Sequence, residues 1–498
     1  MITLISSAAD VTSYSIRILS AYLKKKGFHT RLIFLPDTEF ESYEVTTDWI
    51  PYNENTINQL IDLCKESCLI GFSLFTSDFP NAVYLTGHLK KNLNIPIIWG
   101  GKHPSAKPEQ SLLHADMVCV GEGEEALAEL LGKIESGQEY STTKNICLKH
   151  NGTIIKNPVR SIIDNLDLIP FADYSFDNHY IKEIETGNII QLTPEILKKY
   201  FFPDKVVGLI PYQTLFSRGC PFSCTYCFSF KDMYKGQKYV RFRSIENMIQ
   251  ELEDIKKKLN YVQMIWFVDD NIYTLPLEKI NEFCKTYKER IGIPMTFAGH
   301  PKDITEDKLS RFIDAGLIIT HIGIQTGSNK TRKLYKRNFS DESILNAVRT
   351  IQKFKDSLMA SYYDVITDNP YETNEDVADT IRLLLKFPKP RHIKVFSLTF
   401  LPGTELYEKA KLDGILPEEN ELEDYRKNLL SFFYRKKKYL NFIFPLLNKN
   451  IPNLLIKILI NKYVIFLLDR PLINELLFKT AAFFKELRKK RRNMKVGK

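Results

Sequence analysis

The sequence predicts an α/β fold: a doubly wound parallel sheet at the N-terminus, a second run of β/α units behind it, and a helical C-terminal region. Three observations predict this. Short apolar runs alternate with longer segments whose apolar residues recur at helical spacing. Glycine-rich turns fall directly after several of the runs, and no stretch of the 498 residues is low-complexity or repeated. With 44% hydrophobic and 26% charged residues, disordered and fibrous classes are excluded. The length allows roughly three domains.

The elements follow in order. Ile2–Ser6 reads as a strand, Ser13–Lys26 as a helix and Thr30–Leu35 as a strand, a βαβ opening. A helix over Thr56–Ser67 leads to the buried parallel strand Leu69–Leu74, and a helix over Asn81–Leu93 leads to the strand Pro96–Trp99. The strand Met117–Val120 precedes the helix Glu125–Glu135. Residues 141–209 have mixed polarity and read as an ordered but irregular linker. From Tyr212 the alternation resumes, with strands at Tyr212–Phe216, Met264–Val268, Met295–Ala298, Ile318–Ile324, Met359–Ile366 and His392–Leu398. Helices over Ser244–Leu259 and Leu277–Ile291 fall among them. In such sheets ligands bind beyond the carboxyl ends of the strands. Gly100-Gly101 and Gly121-Glu122-Gly123-Glu124 occupy those positions.

Three of the eight cysteines sit within eight positions, so a secreted disulfide framework is not expected and a reducing cytoplasm fits. The N-terminus has no basic segment before an apolar run, so no signal peptide is expected. The net charge of +9 is concentrated: residues 485–498 carry eight Lys and Arg against Glu486 alone, a net +7. The remainder is nearly neutral, and no nucleic-acid partner is expected.

The chemistry is carried by Cys220, Cys224 and Cys227, a CxxxCxxC spacing with Tyr226 directly before the last cysteine. A structural zinc site takes four protein ligands, whereas a cluster held by three leaves one iron open. The alternative is a zinc knuckle completed by Cys284 or one of the nine histidines. The spacing resembles the signature of the radical S-adenosylmethionine (SAM) superfamily. The resemblance implies a 4Fe-4S cluster whose open iron chelates SAM and whose electron splits it to a 5'-deoxyadenosyl radical. The second β/α run is then a partial (β/α)6 barrel, open on one side.

Gly71-Phe72-Ser73, Gly100-Gly101-Lys102-His103-Pro104 and Gly121-Glu122-Gly123-Glu124, in that order, resemble the B12-binding domain that precedes many radical SAM barrels. This implies cobalamin, with Gly100, Gly101, Gly121 and Glu122 on its face. The DxHxxG motif that supplies a cobalt ligand in other B12 domains is absent from the loop Ser6–Thr12. His103 is read as hydrogen-bonding its own loop rather than cobalt. Asp269-Asp270-Asn271-Ile272 resembles the subgroup's Asp-Asp-Asn-Phe, and Gly323-Ile324-Gln325-Thr326-Gly327-Ser328 its Gly-Ile-Gln-Ser-Gly-Ser. By that resemblance Asp269, Asp270, Asn271 and Gln325 lie near SAM; the alternative for the aspartates is helix capping. Asp368 and Tyr371 replace two glycines of Gly-x-Pro-Gly-Glu-Thr, while Phe400-Leu401-Pro402-Gly403-Thr404-Glu405-Leu406-Tyr407 is a close match. For Arg241 and Arg243, a SAM carboxylate and solvent are equal alternatives.

The expected organisation is a B12-binding-like domain over 1–140, the linker over 141–209, the barrel over 210–425 and a basic, apolar helical region over 426–498. The expected function is a radical SAM enzyme that modifies an unactivated carbon, by methyl transfer from cobalamin or by oxidative cyclisation of a lipid or tetrapyrrole-like substrate. A non-enzymatic zinc- or cofactor-binding module is the alternative of another class. Catalytic residues are not assigned. Partners are a small-molecule or lipid substrate and an electron donor such as flavodoxin or ferredoxin. The apolar, lysine-studded segments Phe432–Tyr434, Tyr439–Phe444, Leu454–Ile460 and Tyr463–Leu468 are too interrupted to span a bilayer. They suit either a cover on the open side of the barrel or peripheral contact with the inner membrane face.

Overall fold

A computed structural model describes residues 1–8, 11–36, 52–150, 152–204, 206–416 and 436–480. Within it the chain forms two compact units. The first comprises Met1–Ile272, Glu278–Thr296 and Phe400–Leu429; the second comprises Tyr273–Leu277, Phe297–Thr399 and Leu430–Lys498.

The first unit begins with strands β1 (Ile2–Ser6), β2 (Thr30–Phe34), β3 (Leu69–Ser73), β4 (Ile97–Gly100) and β5 (Met117–Cys119). Every residue of β1, β2 and β5 is buried, because helices cover both faces of a parallel sheet. The packed side includes Ile5, Ile33, Phe72 and Trp99, with the Trp99 indole N–H donating to Thr86 Oγ1 at 3.1 Å.

The stretch expected to be an irregular linker instead supplies β6 (Ile146–His150), β7 (Thr153–Lys156), β8 (His179–Lys182) and β9 (Ile189–Gln191). The sheet is therefore nine-stranded, ordered β7-β6-β5-β4-β3-β1-β2-β8-β9. β8 adds parallel to β2, while β6, β7 and β9 pair antiparallel at the two margins. Mixed polarity concealed them because marginal strands are half solvated, β7 almost wholly so. Arg17 ties this segment down. Its buried guanidinium lies between the Phe34 and Tyr174 rings, 4.4 and 4.2 Å from their centroids, and Nη1 donates to Asp173 O at 2.9 Å. Asp173 in turn accepts from Ser20 Oγ at 2.6 Å and pairs with Lys24 at 2.8 Å.

Further on lie β10 (Pro211–Thr214), β11 (Ser217–Arg218), β12 (Arg241–Phe242), β13 (Met264–Phe267), β14 (Met295–Gly299), β15 (Leu317–Gln325), β16 (Ala360–Thr367) and β17 (His392–Ser397). β11 and β12 form a small antiparallel ribbon, and the others form a six-stranded sheet in sequence order, β10-β13-β14-β15-β16-β17. Its helices start where the sequence places caps: Ser244, Thr305, Ser340 and Thr373 each accept from a first-turn backbone N–H.

In the second unit, two non-glycine residues at strand ends adopt left-handed backbone, Gln325 (φ 66°) and Asp368 (φ 62°). Asp368 stands where a glycine was expected, and it takes up a conformation glycine would adopt freely. Asn441 Nδ2 (2.6 Å), Ser397 Oγ (2.8 Å) and the Lys436 N–H (2.9 Å) all donate to its carboxylate and hold it there. The helix Tyr439–Leu447 packs on β17. Asn448 just beyond it exchanges two hydrogen bonds with the Ile393 backbone at 2.8 and 2.9 Å, capping an otherwise bare strand edge. The expected segment Phe432–Tyr434 and the basic run 485–498 lie outside the described residues.

Candidate functional site

The central β-sheet order β2-β1-β3-β4-β5 reverses direction between β1 and β3, which marks a ligand crevice at the carboxyl ends of the strands. Gly100-Gly101 and Gly121-Glu122 follow β4 and β5. The backbone of Gly101 (φ 100°) is approached so closely by the residue after β3 that a Cβ there would lie 2.6 Å from Leu74 O. At Gly121 (φ 84°) a Cβ would collide with the Tyr234 hydroxyl, whereas at Gly100 it would meet Cys119 at 3.6 Å, an ordinary contact. Two of these glycines thus answer to the protein's own packing.

His103 is wholly buried against Phe79, ring centroids 4.5 Å apart, with Nδ1 3.3 Å from Thr76 Oγ1. Burial lowers its pKa to about 4, so it is neutral and faces the core. It is a structural histidine, but the partner differs from the expected one: Thr76 lies on the turn after β3, not in the loop of His103 itself.

The cysteine loop is built on a neck. β11 and β12 pair Ser217 with Phe242 and Arg218 with Arg241, so the chain leaves and returns at one place. Gly219 (φ 89°) makes the exit; a Cβ would sit 2.4 Å from Tyr239 O. Cys224 O then accepts from Cys227 N at 3.0 Å, turning the loop. Thr225 O accepts from Leu406 N at 2.8 Å, so the Leu401–Glu405 motif seats the loop through the first turn of the helix Glu405–Leu412. Gly403 (φ 80°) lets that motif pass Ala106, where a Cβ would come within 2.6 Å.

Cys220 and Cys224 are half-buried and Cys227 is exposed. Burial, with smaller contributions from Asp270, Cys224 and Cys227, pushes the Cys220 thiol up to about 12. A buried thiol on a loop with two further thiols and a carboxylate beside it belongs to a donor set that a cationic cluster would relieve. Among the described residues no three His, Cys, Asp or Glu side chains converge as a single ion requires. Cys284, offered as a zinc ligand, is buried within the helix Leu277–Arg290.

Two carboxylates grip the neck. Asp269, at the end of β13, accepts from Phe216 N at 3.0 Å, Ser217 N at 2.5 Å and Ser217 Oγ. It is no helix cap; it positions the chain entering the cysteine loop. Burial raises its pKa to about 6, opposed by those hydrogen bonds. Glu122 takes Arg241 Nη2 at 2.6 Å and Arg218 Nη1 at 3.3 Å, while Glu124 takes Arg218 Nη2 at 2.5 Å. Burial works against the Glu122 charge, but the Arg241 hydrogen bond and the two guanidiniums outweigh it and hold the carboxyl below its usual range. The Glu122 N–H donates to Tyr234 Oη at 3.0 Å.

Arg241 and Arg243 are therefore buried away from solvent and committed to carboxylates, Arg243 to Glu251 at 2.5 Å. Asp270 is exposed beside the cysteines, Asn271 is buried next to it, and Gln325 belongs to the second unit. Sequence reading did not single out Arg218 or Tyr234. The available signal for Arg218 was its place immediately before Gly219-Cys220.

A B12-type α/β domain whose glycine turn is ion-paired to the neck of a three-cysteine loop defines a class of cofactor enzyme. The B12 binding domain model matches residues 2–131 and the radical SAM superfamily model matches residues 214–384. The chain belongs to the radical SAM enzymes that carry a B12-binding domain. It is 26% identical to an uncharacterized methyltransferase of Pyrococcus horikoshii, over 70% of each chain. It is 24% identical to the anaerobic magnesium-protoporphyrin IX monomethyl ester cyclase of Synechocystis sp., over 74% of this chain and 69% of that one. Its fold is similar to that of the radical SAM methyltransferase TsrM of Kitasatospora setae, solved with cobalamin and a 4Fe-4S cluster (TM-score 0.63, 12% identity, 84% of this chain and 79% of that chain). The non-enzymatic, zinc-stabilised alternative is set aside. The cofactors of such an enzyme are a 4Fe-4S cluster, SAM and cobalamin; the three-cysteine loop fits the cluster, and of the strand-end turns Gly100 leaves room beside its backbone.

Proposed function

We propose that the protein is a cobalamin-dependent radical SAM methyltransferase acting on an unactivated carbon of a small molecule. When bound, the cluster and SAM supply a 5'-deoxyadenosyl radical and cobalamin supplies a transferable methyl group. The observation that carries the reading is the Glu122–Arg241–Arg218 tie, which fastens the Gly121 turn of the B12 domain to the neck of the cysteine loop. Methyl transfer needs those two cofactor faces adjacent.

In this reading Cys220, Cys224 and Cys227 hold the cluster, and Asp269 is a positioning residue for their loop. Asp270, Asn271 and Gln325 contact SAM. Gly100 offers backbone to cobalamin, while Gly101 and Gly121 shape their turns against Leu74 and Tyr234; the Glu122 side chain is occupied by arginine and its N–H by Tyr234, so Glu122 contributes by orienting the turn. An electron donor of the flavodoxin or ferredoxin kind reduces the cluster.

The resemblance to the cyclase favours a second reading, oxidative cyclisation of a lipid or tetrapyrrole-like substrate. Anaerobic reconstitution with iron and sulfide, then incubation with SAM, reductant, hydroxocobalamin and candidate substrates, separates the two by mass spectrometry. Methyl transfer yields 5'-deoxyadenosine, S-adenosylhomocysteine and a methylated product. Cyclisation yields 5'-deoxyadenosine with an oxidised product and no S-adenosylhomocysteine. Loss of 5'-deoxyadenosine in Cys224→Ala is expected under both; its persistence refutes the cluster assignment.

A further inference from the structure

We propose that the C-terminal helices dock on an anionic bilayer surface through a face of outward apolar side chains edged by lysine and arginine. Residues 453–480 form three short helical segments: Asn453–Leu459, Lys462–Leu468 and 471–480. Each tucks one side chain fully inward, Ile456, Ile465 and Asn474 in turn. The first two segments turn larger apolar groups out at one-face spacing, Leu454, Leu455 and Ile458, then Tyr463, Phe466 and Leu467, all more than half exposed. Leu472, on the third, is 85% exposed. A water-facing helix ordinarily does the reverse. Among the described residues, eight of the sixteen exposed large apolar side chains fall between Leu454 and Leu476. Scattered single ones would need no explanation, but a concentration marks a contact surface.

Charge selects the partner. Lys457 and Lys462 are exposed on the first two segments and Arg470 just before the third. Lys462 lies 5.0 Å from the Tyr463 ring centroid and Arg470 lies 4.8 Å from that of Phe466. The sequence then continues into the +7 run over 485–498. Apolar groups beside basic ones suit a helix lying in the interface of an anionic leaflet. No described helix is long and apolar enough to cross a membrane. A second copy of this chain would bring like charges face to face, which disfavours that occupant.

The surface is independent of the reaction, and so is its test. Full-length protein is co-sedimented with vesicles of equimolar phosphatidylcholine and phosphatidylglycerol, and with phosphatidylcholine alone. The anionic vesicles should retain it, the neutral ones far less, and about 1 M salt, where the screening length is about 3 Å, should release much of it. The double variant Phe466→Ser/Leu467→Ser, whose side chains are solvent-exposed, should weaken binding about tenfold or more while melting as the parent does. Lys457→Glu/Lys462→Glu should weaken binding to the anionic vesicles only. Failure to bind anionic vesicles, equal binding to both kinds, or indifference to both variants overturns the proposal. So does self-association that Phe466→Ser/Leu467→Ser abolishes without any vesicle binding, which would make the occupant a second copy.

Discussion

Asp269 and Glu122 both follow strands and both reach the neck of the cysteine loop, yet they hold it by opposite electrostatics. Asp269 is wrapped by neutral donors, two backbone N–H groups and a serine hydroxyl, and burial raises its pKa to about 6. Glu122 is met by two guanidiniums and stays ionised to lower pH than an ordinary carboxyl. Burial penalises both charges. What differs is whether a full countercharge or only dipoles answer it.

The sharpest way to break this comparison is Asp269→Ala, which leaves Phe216 N, Ser217 N and Ser217 Oγ without their buried acceptor. A stability loss of about 3 kcal/mol or more is expected, visible in thermal melts and as iron retained poorly after reconstitution. Glu122→Gln keeps the shape but leaves buried Arg241 facing a neutral amide. A loss of about 2 kcal/mol is expected, discounted because Glu122 is partly exposed and Arg218 keeps Glu124.

The pH dependences should carry opposite signs. The raised pKa of Asp269 means the folded state holds its proton more tightly than the unfolded chain. Stability from this group is therefore full below its ordinary 3.8 and falls as pH rises to about 6. The lowered pKa of Glu122 gives stability that is full above its ordinary 4.5 and is lost as pH falls below it. Denaturant titrations should show Asp269→Asn flattening the first slope and Glu122→Gln the second. A slope left intact in its variant would refute the corresponding assignment. The smallest effect is expected from His103→Gln: the visible spectrum of bound cobalamin should not move, since the imidazole faces Phe79 and Thr76. A shifted spectrum would make His103 a ligand.

Much of this was legible in advance where the signal is local. The strands from Ile2 to Cys119 and, apart from the short ribbon β11–β12, from Pro211 to Ser397 fall within a few residues of the expected apolar runs, because a parallel strand covered on both faces must be apolar throughout. The four strands between Ile146 and Gln191 were not legible, because marginal strands share their polarity with loops. The partners of Arg241 and Arg243 were equally hidden, since an arginine's sequence neighbours do not reveal which distant carboxylate it meets. The shape of the Asp368 loop was open for a related reason: the replaced glycine suggested a changed turn, and only contacts with Asn441 and Ser397 show how aspartate sustains the left-handed backbone.

By itself, then, the order of residues determined the chemistry available: three thiols on one loop with no fourth beside them, and glycine turns at the ends of parallel strands. Both are short-range facts, written in spacing and periodicity. Tertiary structure decided which groups do structural service and which remain for ligands. It buried His103, tied Glu122 to arginine and set Asp269 under the cysteine loop. Those outcomes depend on pairings of residues far apart in the chain, where burial and countercharge are settled by packing rather than by neighbours in sequence.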